Sequence, residues 1–258
     1  MKHKRLRVFL IVFALLVATV SIGIFSFMAV LRARRIQLLA PAQLNTQIET
    51  LQGESAGGPG TTEETAAIPI DFGYLQTVNH DIYAWLQITD TDIAQPIVQH
   101  PTDDNHYLNY TIDGVYGSVG AIYTELCNAR DFSDSNTVIY GHNMTDDMMF
   151  GGLDAYLDAD YLQAHREVIV YTPTEKRTYH IFAAVVYDDT YIPFIYNPTK
   201  VDTCQAFVDT LSATGDPDSQ VLEEITVTED TRLLTLSTCF KGYSHPDKRY
   251  LIVAVQDA

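Results

Sequence analysis

Cys239 closes the apolar run Leu233-Leu234-Thr235-Leu236-Ser237-Thr238-Cys239, and ten residues later Arg249 opens another, Arg249-Tyr250-Leu251-Ile252-Val253-Ala254-Val255. Far upstream a third run, Val138-Ile139-Tyr140-Gly141-His142, ends on a histidine. Runs of this composition read as strands. A thiol, an imidazole and a guanidinium at strand ends supply a nucleophile, a proton carrier and an anion binder. Acyl transfer through a thioester needs those three parts. A guanidinium suits the third role because it keeps its proton and presents a planar fork. Singly, each residue has a plainer reading: Cys239 as a packed small hydrophobe, His142 as a turn cap, Arg249 as half of a surface ion pair. Their shared place at strand ends favours the chemical reading, because a barrel gathers such ends at one rim.

The elements that must position them follow from the apolar pattern. Further short β-type runs cover Ile93 to Val98, Gly120 to Tyr123, Thr137 to Tyr140, Val168 to Tyr171, Tyr179 to Tyr187 and Arg232 to Thr238, separated by segments rich in Asp, Asn, Gly and Pro. Cys204, Phe207, Val208 and Leu211 stand at i, i+3, i+4 and i+7, which predicts an amphipathic helix over 203–213 with Asp202 as its N-cap. Phe150, Leu153, Tyr156 and Leu157 suggest a second helix, and 71–78 a third. The pattern implies a mainly β, mainly antiparallel sheet or barrel with peripheral helices.

The N-terminal end says where the chemistry would take place. Val8 to Leu31 is a run of 24 uncharged residues behind Lys2, Lys4, Arg5 and Arg7. A membrane-crossing helix needs roughly 20 apolar residues, whereas a cleaved signal has an apolar stretch of about 7–15. The run therefore reads as an uncleaved single-pass anchor within residues 1–35. The N-terminal cations place its start in the cytoplasm and the bulk of the chain outside. Residues 36–68, with Gly53, Gly57, Gly58, Pro59 and Gly60, read as an extracellular linker, and 69–258 as one catalytic domain. Residues 36–258 hold nine basic against 33 acidic residues, a formal −24. Such a surface repels nucleic acid. Three cysteines, Cys127, Cys204 and Cys239, are too few for a disulfide framework. His100, Asp103, Asp104 and His106 cluster without a metal-ligand spacing, so no metal site is read there.

Thr235-Leu236-Ser237-Thr238-Cys239 with Arg249 downstream, and Tyr140-Gly141-His142-Asn143-Met144 upstream, resemble the sortases, cysteine transpeptidases that fasten surface proteins to the Gram-positive cell wall. The likeness is greatest to class B. It extends through Asp71-Phe72, Trp85, Pro96-Ile97-Val98-Gln99, Tyr107-Leu108-Asn109, Asp131-Phe132-Ser133-Asp134, Met149-Phe150-Gly151 and Tyr161 to Thr172. The helix expected at 203–213 is similar to the extra helix of class B. Asp216-Pro217-Asp218 lacks the aromatic tip of the lid found in class C pilin polymerases. Two departures stand out. Phe240 follows the cysteine where many relatives carry an acidic or hydroxyl residue, and Tyr123 to Asn128 differs from the usual aspartate-aromatic-arginine-asparagine run.

The resemblance implies a closed β-barrel of about eight strands, with Cys239 as nucleophile, His142 as acid and base, and Arg249 as the group that steadies the substrate or oxyanion. It implies substrate contacts at Leu108, Tyr191, Ile192, Ser237 and Asp104, and no cofactor. The implied partners are surface proteins with an Asn-Pro-X-Thr or Pro-Pro-X-Thr sorting signal, an amine of a lipid-linked peptidoglycan precursor, and the membrane. The rival readings are a pilin-polymerising sortase, a hydrolytic cysteine peptidase and an inactive anchored binding domain.

Overall fold

Two apolar layers explain why the strands read as unbroken hydrophobic runs. The computed structural model describes residues 68–144, 148–241 and 245–257. All of them fall in the second of two units into which the chain divides, Ala66–Ala258. The anchor expected over Val8 to Leu31 and the linker up to residue 67 lie outside the described residues.

The strands are β1 (Ile82–Ile88), β2 (Ala94–Val98), β3 (Ile122–Thr124), β4 (Asn136–Tyr140), β5 (Glu167–Tyr171), β6 (Lys176–Asp188), β7 (Gln220–Val221), β8 (Leu233–Cys239) and β9 (Lys248–Gln256). They pair in the order β5-β1-β2-β3-β4-β8-β9-β6, and β5 pairs again with β6, closing eight strands into a barrel. The two-residue β7 adds to β6 outside the ring. Most pairings are antiparallel, but β2–β3 and β4–β8 are parallel.

Successive side chains of a strand face opposite sides. Leu234, Leu236, Ile252 and Ala254 therefore enter the barrel interior with Ile139, Ala184 and Val186. Leu233, Leu251 and Val253 face outward, into a second cluster with Cys204, Phe207, Val208 and Leu211. Both faces are dry, so both must be apolar. A register shift between Ile181 and Ala183 puts Phe182 and Ala183 in the outer cluster together.

The helices are α1 (Phe72–Val78), α2 (His106–Asn109), α3 (Ala159–Ala164), α4 (Ile192–Ile195) and α5 (Val201–Leu211), with a 3-10 helix over Gly151–Leu157. The buried face of α5 is the predicted one, but the helix starts at Val201 rather than 203. Its first bond runs from the Cys204 N–H to the Lys200 carbonyl, and Asp202 sits in the first turn, accepting from the Thr203 N–H at 2.9 Å. The N-cap is therefore Lys200 and not Asp202, whose charge in the first turn complements the helix dipole instead. The helix expected around Phe150 to Leu157 is a 3-10 helix instead. Gly151 and Gly152 disfavour an α-helical start, and Asp158 opens α3 afresh by capping the Tyr161 N–H at 2.9 Å.

Candidate active site

The parallel pairing of β4 with β8 builds the site. Parallel strands end on the same edge, so the residues after Tyr140 emerge beside the end of β8, where Tyr140 pairs with Ser237 and the Gly141 N–H reaches the Ser237 carbonyl at 3.2 Å. Strand β9 runs back from that edge with Arg249 opposite Cys239. Directly opposed residues in an antiparallel pair share a face with Cβ atoms roughly 5 Å apart. His142, Cys239 and Arg249 thus meet at one edge.

They line a cleft of about 250 Å³ together with Leu108, Tyr123, Tyr140, Gly141, Asp189, Thr190, Tyr191, Ile192, Ser237 and Thr238. Of the substrate contacts expected from the sequence, Leu108, Tyr191, Ile192 and Ser237 are in that lining. Asp104 is not, and its carboxylate instead accepts the Leu126 N–H at 2.7 Å on the loop beyond β3.

The imidazole of His142 is held by its Nε2, 2.8 Å from the Leu108 carbonyl oxygen. A carbonyl can only accept, so Nε2 donates, and the neutral ring has its lone pair on Nδ1. The next residue ties the histidine loop to the cysteine strand: Asn143 Nδ2 donates to the Cys239 carbonyl at 2.9 Å and to Asp154 Oδ1 at 2.8 Å. Arg249 spends Nη1 on the backbone carbonyls of Pro246 and Lys248, at 3.1 and 3.0 Å, and has no carboxylate within ion-pair distance among the described residues. Among the described residues its remaining N–H groups have no partner, which leaves them open to an anion.

The other two thiols are chemically quieter. Partial withdrawal from water, reinforced by the carboxylates of Glu125 and Asp104, pushes the Cys127 thiol up to about 11. Burial, with Asp134 and Asp202 adding to it, pushes the Cys204 thiol to about 11 as well. Neither is a thiolate to a useful extent at neutral pH, and the thiolate is the nucleophile.

Beside the cleft, Tyr191 donates its hydroxyl to Glu125 Oε2 at 2.6 Å, joining the segment before α4 to the end of β3. Sequence reasoning assigned nothing to Glu125 or to the Asn143 amide. Both act across long separations in sequence and leave no local pattern.

The family model described as Sortase domain matches residues 86–257. The chain belongs to the sortase family. It is 35% identical over 179 residues to sortase B of Listeria monocytogenes, covering 69% of this chain and 71% of that one. It is 29% identical over 185 residues to sortase B of Staphylococcus aureus, covering 71% and 73%. The crystal structure of a Streptococcus pyogenes class B sortase involved in pilus biogenesis superposes with a TM-score of 0.61 at 28% identity, covering 72% of this chain and 98% of that one. The sortase is a cysteine transpeptidase of class B character.

Proposed function

We propose that this sortase is anchored by residues 1–35, carries its catalytic domain over 69–258 on an extracellular linker, and joins surface proteins to the cell wall. The convergence of Cys239, His142 and Arg249 in one cleft carries the reading. The thiolate of Cys239 attacks the Thr carbonyl of an Asn-Pro-X-Thr or Pro-Pro-X-Thr signal, and the tetrahedral oxyanion is met by Arg249 and a backbone N–H. One such donor contributes roughly 3 kcal/mol. The proton lost by the Cys239 thiol is taken up by the Nδ1 lone pair of His142, whose Nε2 is engaged by Leu108, and Nδ1 then passes it to the departing amine, leaving a thioester on Cys239. The incoming amine of a peptidoglycan precursor then attacks the thioester and gives its proton to the same nitrogen. The product holds a new amide bond, and the thiol is regenerated. Leu108, Tyr191, Ile192 and Ser237 contact the signal peptide along the cleft.

A second acceptor class is a pilin amine, because the Streptococcus pyogenes relative is described as involved in pilus biogenesis. The deciding experiment presents the enzyme with a library of sorting peptides and then offers each acyl-enzyme a peptidoglycan stem amine or a lysine-bearing pilin peptide. Transfer to the stem amine supports wall anchoring, and transfer only to the pilin lysine replaces it. Hydrolysis with no transfer removes both. Protease added to intact protoplasts should digest the domain; protection would reverse the topology and with it the wall substrate.

A further inference from the structure

Against the imidazole of His142 lies Gly120, a residue outside every motif that identified the site. Its φ is +61°, in the left-handed region that side-chain-bearing residues seldom adopt. A Cβ at this position would stand 2.6 Å from the Tyr107 carbonyl oxygen, 2.9 Å from the Leu108 carbonyl oxygen and 3.2 Å from His142 Cδ2. Two of these neighbours are backbone atoms, so they cannot be relieved by a rotamer change. The Ala121 N–H bonds the Tyr107 carbonyl at 2.9 Å, which pins the two segments together and leaves little slack. The Leu108 oxygen that a Cβ would displace is the one that holds His142 Nε2 at 2.8 Å.

We propose that Gly120 is a positioning residue for transpeptidation. Its bare Cα lets the Leu108 carbonyl and the His142 ring close on each other, and that contact aims Nδ1 into the cleft. The inference rests on the reading of His142 as proton carrier. A proton carrier must keep its nitrogen within hydrogen-bond reach of the reacting atoms. A displacement of about 1 Å is enough to cost orders of magnitude in rate. Tyr107 and Leu108 belong to the four-residue α2, too short to hold its carbonyls by its own bonding. The closeness of approach is therefore set from below, by Gly120.

The test uses the full-length chain with Gly120→Ala and Gly120→Asn. Asparagine tolerates the left-handed backbone far better than alanine. Backbone strain alone would thus be eased in the Asn variant, whereas the Cβ contact is the same in both. Both variants are expected to lower kcat by at least about tenfold while KM for a sorting peptide stays within about twofold. In the unaltered protein, nitrogen-edited NMR of the histidine rings is expected to show a slowly exchanging proton on His142 Nε2, which both variants lose. Recovery of the parental kcat in Gly120→Asn would overturn the proposal. So would the absence of a protected Nε2 proton in the unaltered protein, a result that needs neither variant to fold. Loss of that proton in the variants, with no peptide cleaved even by the parent, would uphold the seat under His142 and sink the sorting-signal reading instead.

Discussion

The long strand pair β6–β9 has two ends, and they are finished differently. At one end Tyr179 faces Gln256 and His180 faces Val255. There Arg177 is paired, donating to Glu175 through Nε and Nη2 at 2.9 and 2.7 Å and to Gln256 through Nη1 at 3.1 Å, and His180 Nδ1 meets Asp257 Oδ1 at 2.8 Å. At the other end Tyr187 faces Arg249 and Asp188 faces Lys248. There the guanidinium reaches, among the described residues, only its own neighbourhood's carbonyls, and the chain beyond β6 exposes Tyr191, Phe194 and Ile195, with Phe194 at 78%. Both ends belong to one continuous sheet with the same apolar interior, so neither packing nor propensity separates them. The difference is whether polar groups are satisfied within the fold or left to be satisfied by something that binds. In an enzyme the second condition marks where substrate enters.

The comparison breaks most sharply at the thiols. Cys239→Ala should abolish both cleavage and transfer, with stability changed by no more than about 0.5 kcal/mol, since the residue stands at a half-exposed strand end. Cys127→Ala should retain full turnover. Cys204→Ala should also turn over, but at a cost of about 1 kcal/mol in stability, because that side chain is wholly buried under the barrel wall. Chemical denaturation and a peptide-cleavage assay on the same samples check all three. Residual cleavage by the Cys239 variant would remove the thioester mechanism.

His142 and Arg249 come next. A proton carrier must change charge during turnover, whereas an oxyanion binder must keep charge and geometry. His142→Ala should nearly abolish activity at every pH. Arg249→Lys keeps the charge and loses the fork, so a large but incomplete loss is expected. Arg249→Ala should be worse again by at least about tenfold, or roughly 1.4 kcal/mol of barrier. Parental activity in Arg249→Ala would make the two ends of β6–β9 equivalent, with Arg249 an ordinary strand-end charge.

The site was legible where both layers of the fold press on the same strand. β4, β8 and β9 appear within a residue of their expected limits because each is dry on both faces, and the three chemical residues sit at their ends. β1 left no such mark, although Trp85 and Leu86 are buried in it. Ile-Tyr-Ala-Trp-Leu-Gln-Ile has neither strict alternation nor a helical period, and a register shift between Ile82 and Ala84 breaks what pattern there is. The four-residue helices α2 and α4 are shorter than any period can reveal. The supports of the site were invisible for another reason. Leu108 with His142, Asn143 with Cys239, and Tyr191 with Glu125 are contacts between segments far apart in sequence, and only the closed barrel brings them together.

Exchanging the two arginines' fates gives a smaller but cleaner test. Arg177→Ala removes a partly exposed ion pair, and such pairs contribute only about 0.2–1 kcal/mol. It should lower stability by that amount and leave kcat and KM unchanged. Arg249→Ala should do the reverse, costing activity with little change in stability. Arg177→Ala slowing turnover while Arg249→Ala only destabilised the fold would invert the assignment of the two ends.

The smallest effect concerns Glu125, at the edge of the open end. Burial, with Asp104 adding to it, raises its carboxyl above the ordinary range, against the opposing hydrogen bond from Tyr191. The folded state therefore holds this proton to higher pH than the unfolded chain does. By linkage, stability from this group falls as pH rises from the ordinary carboxylate range through the raised value, and it stays at the lower level above it. Glutamine keeps an oxygen for the Tyr191 hydroxyl but never ionises. Glu125→Gln should accordingly be slightly more stable than the parent at neutral pH, and the two should converge as pH falls below the ordinary carboxylate range. Thermal melts at matched ionic strength across that window read the difference directly. A variant less stable at neutral pH, with the gap widening toward alkaline pH, would mean the ionised carboxylate is a net asset. Glu125 would then belong with the paired charges of the far end rather than with the open rim.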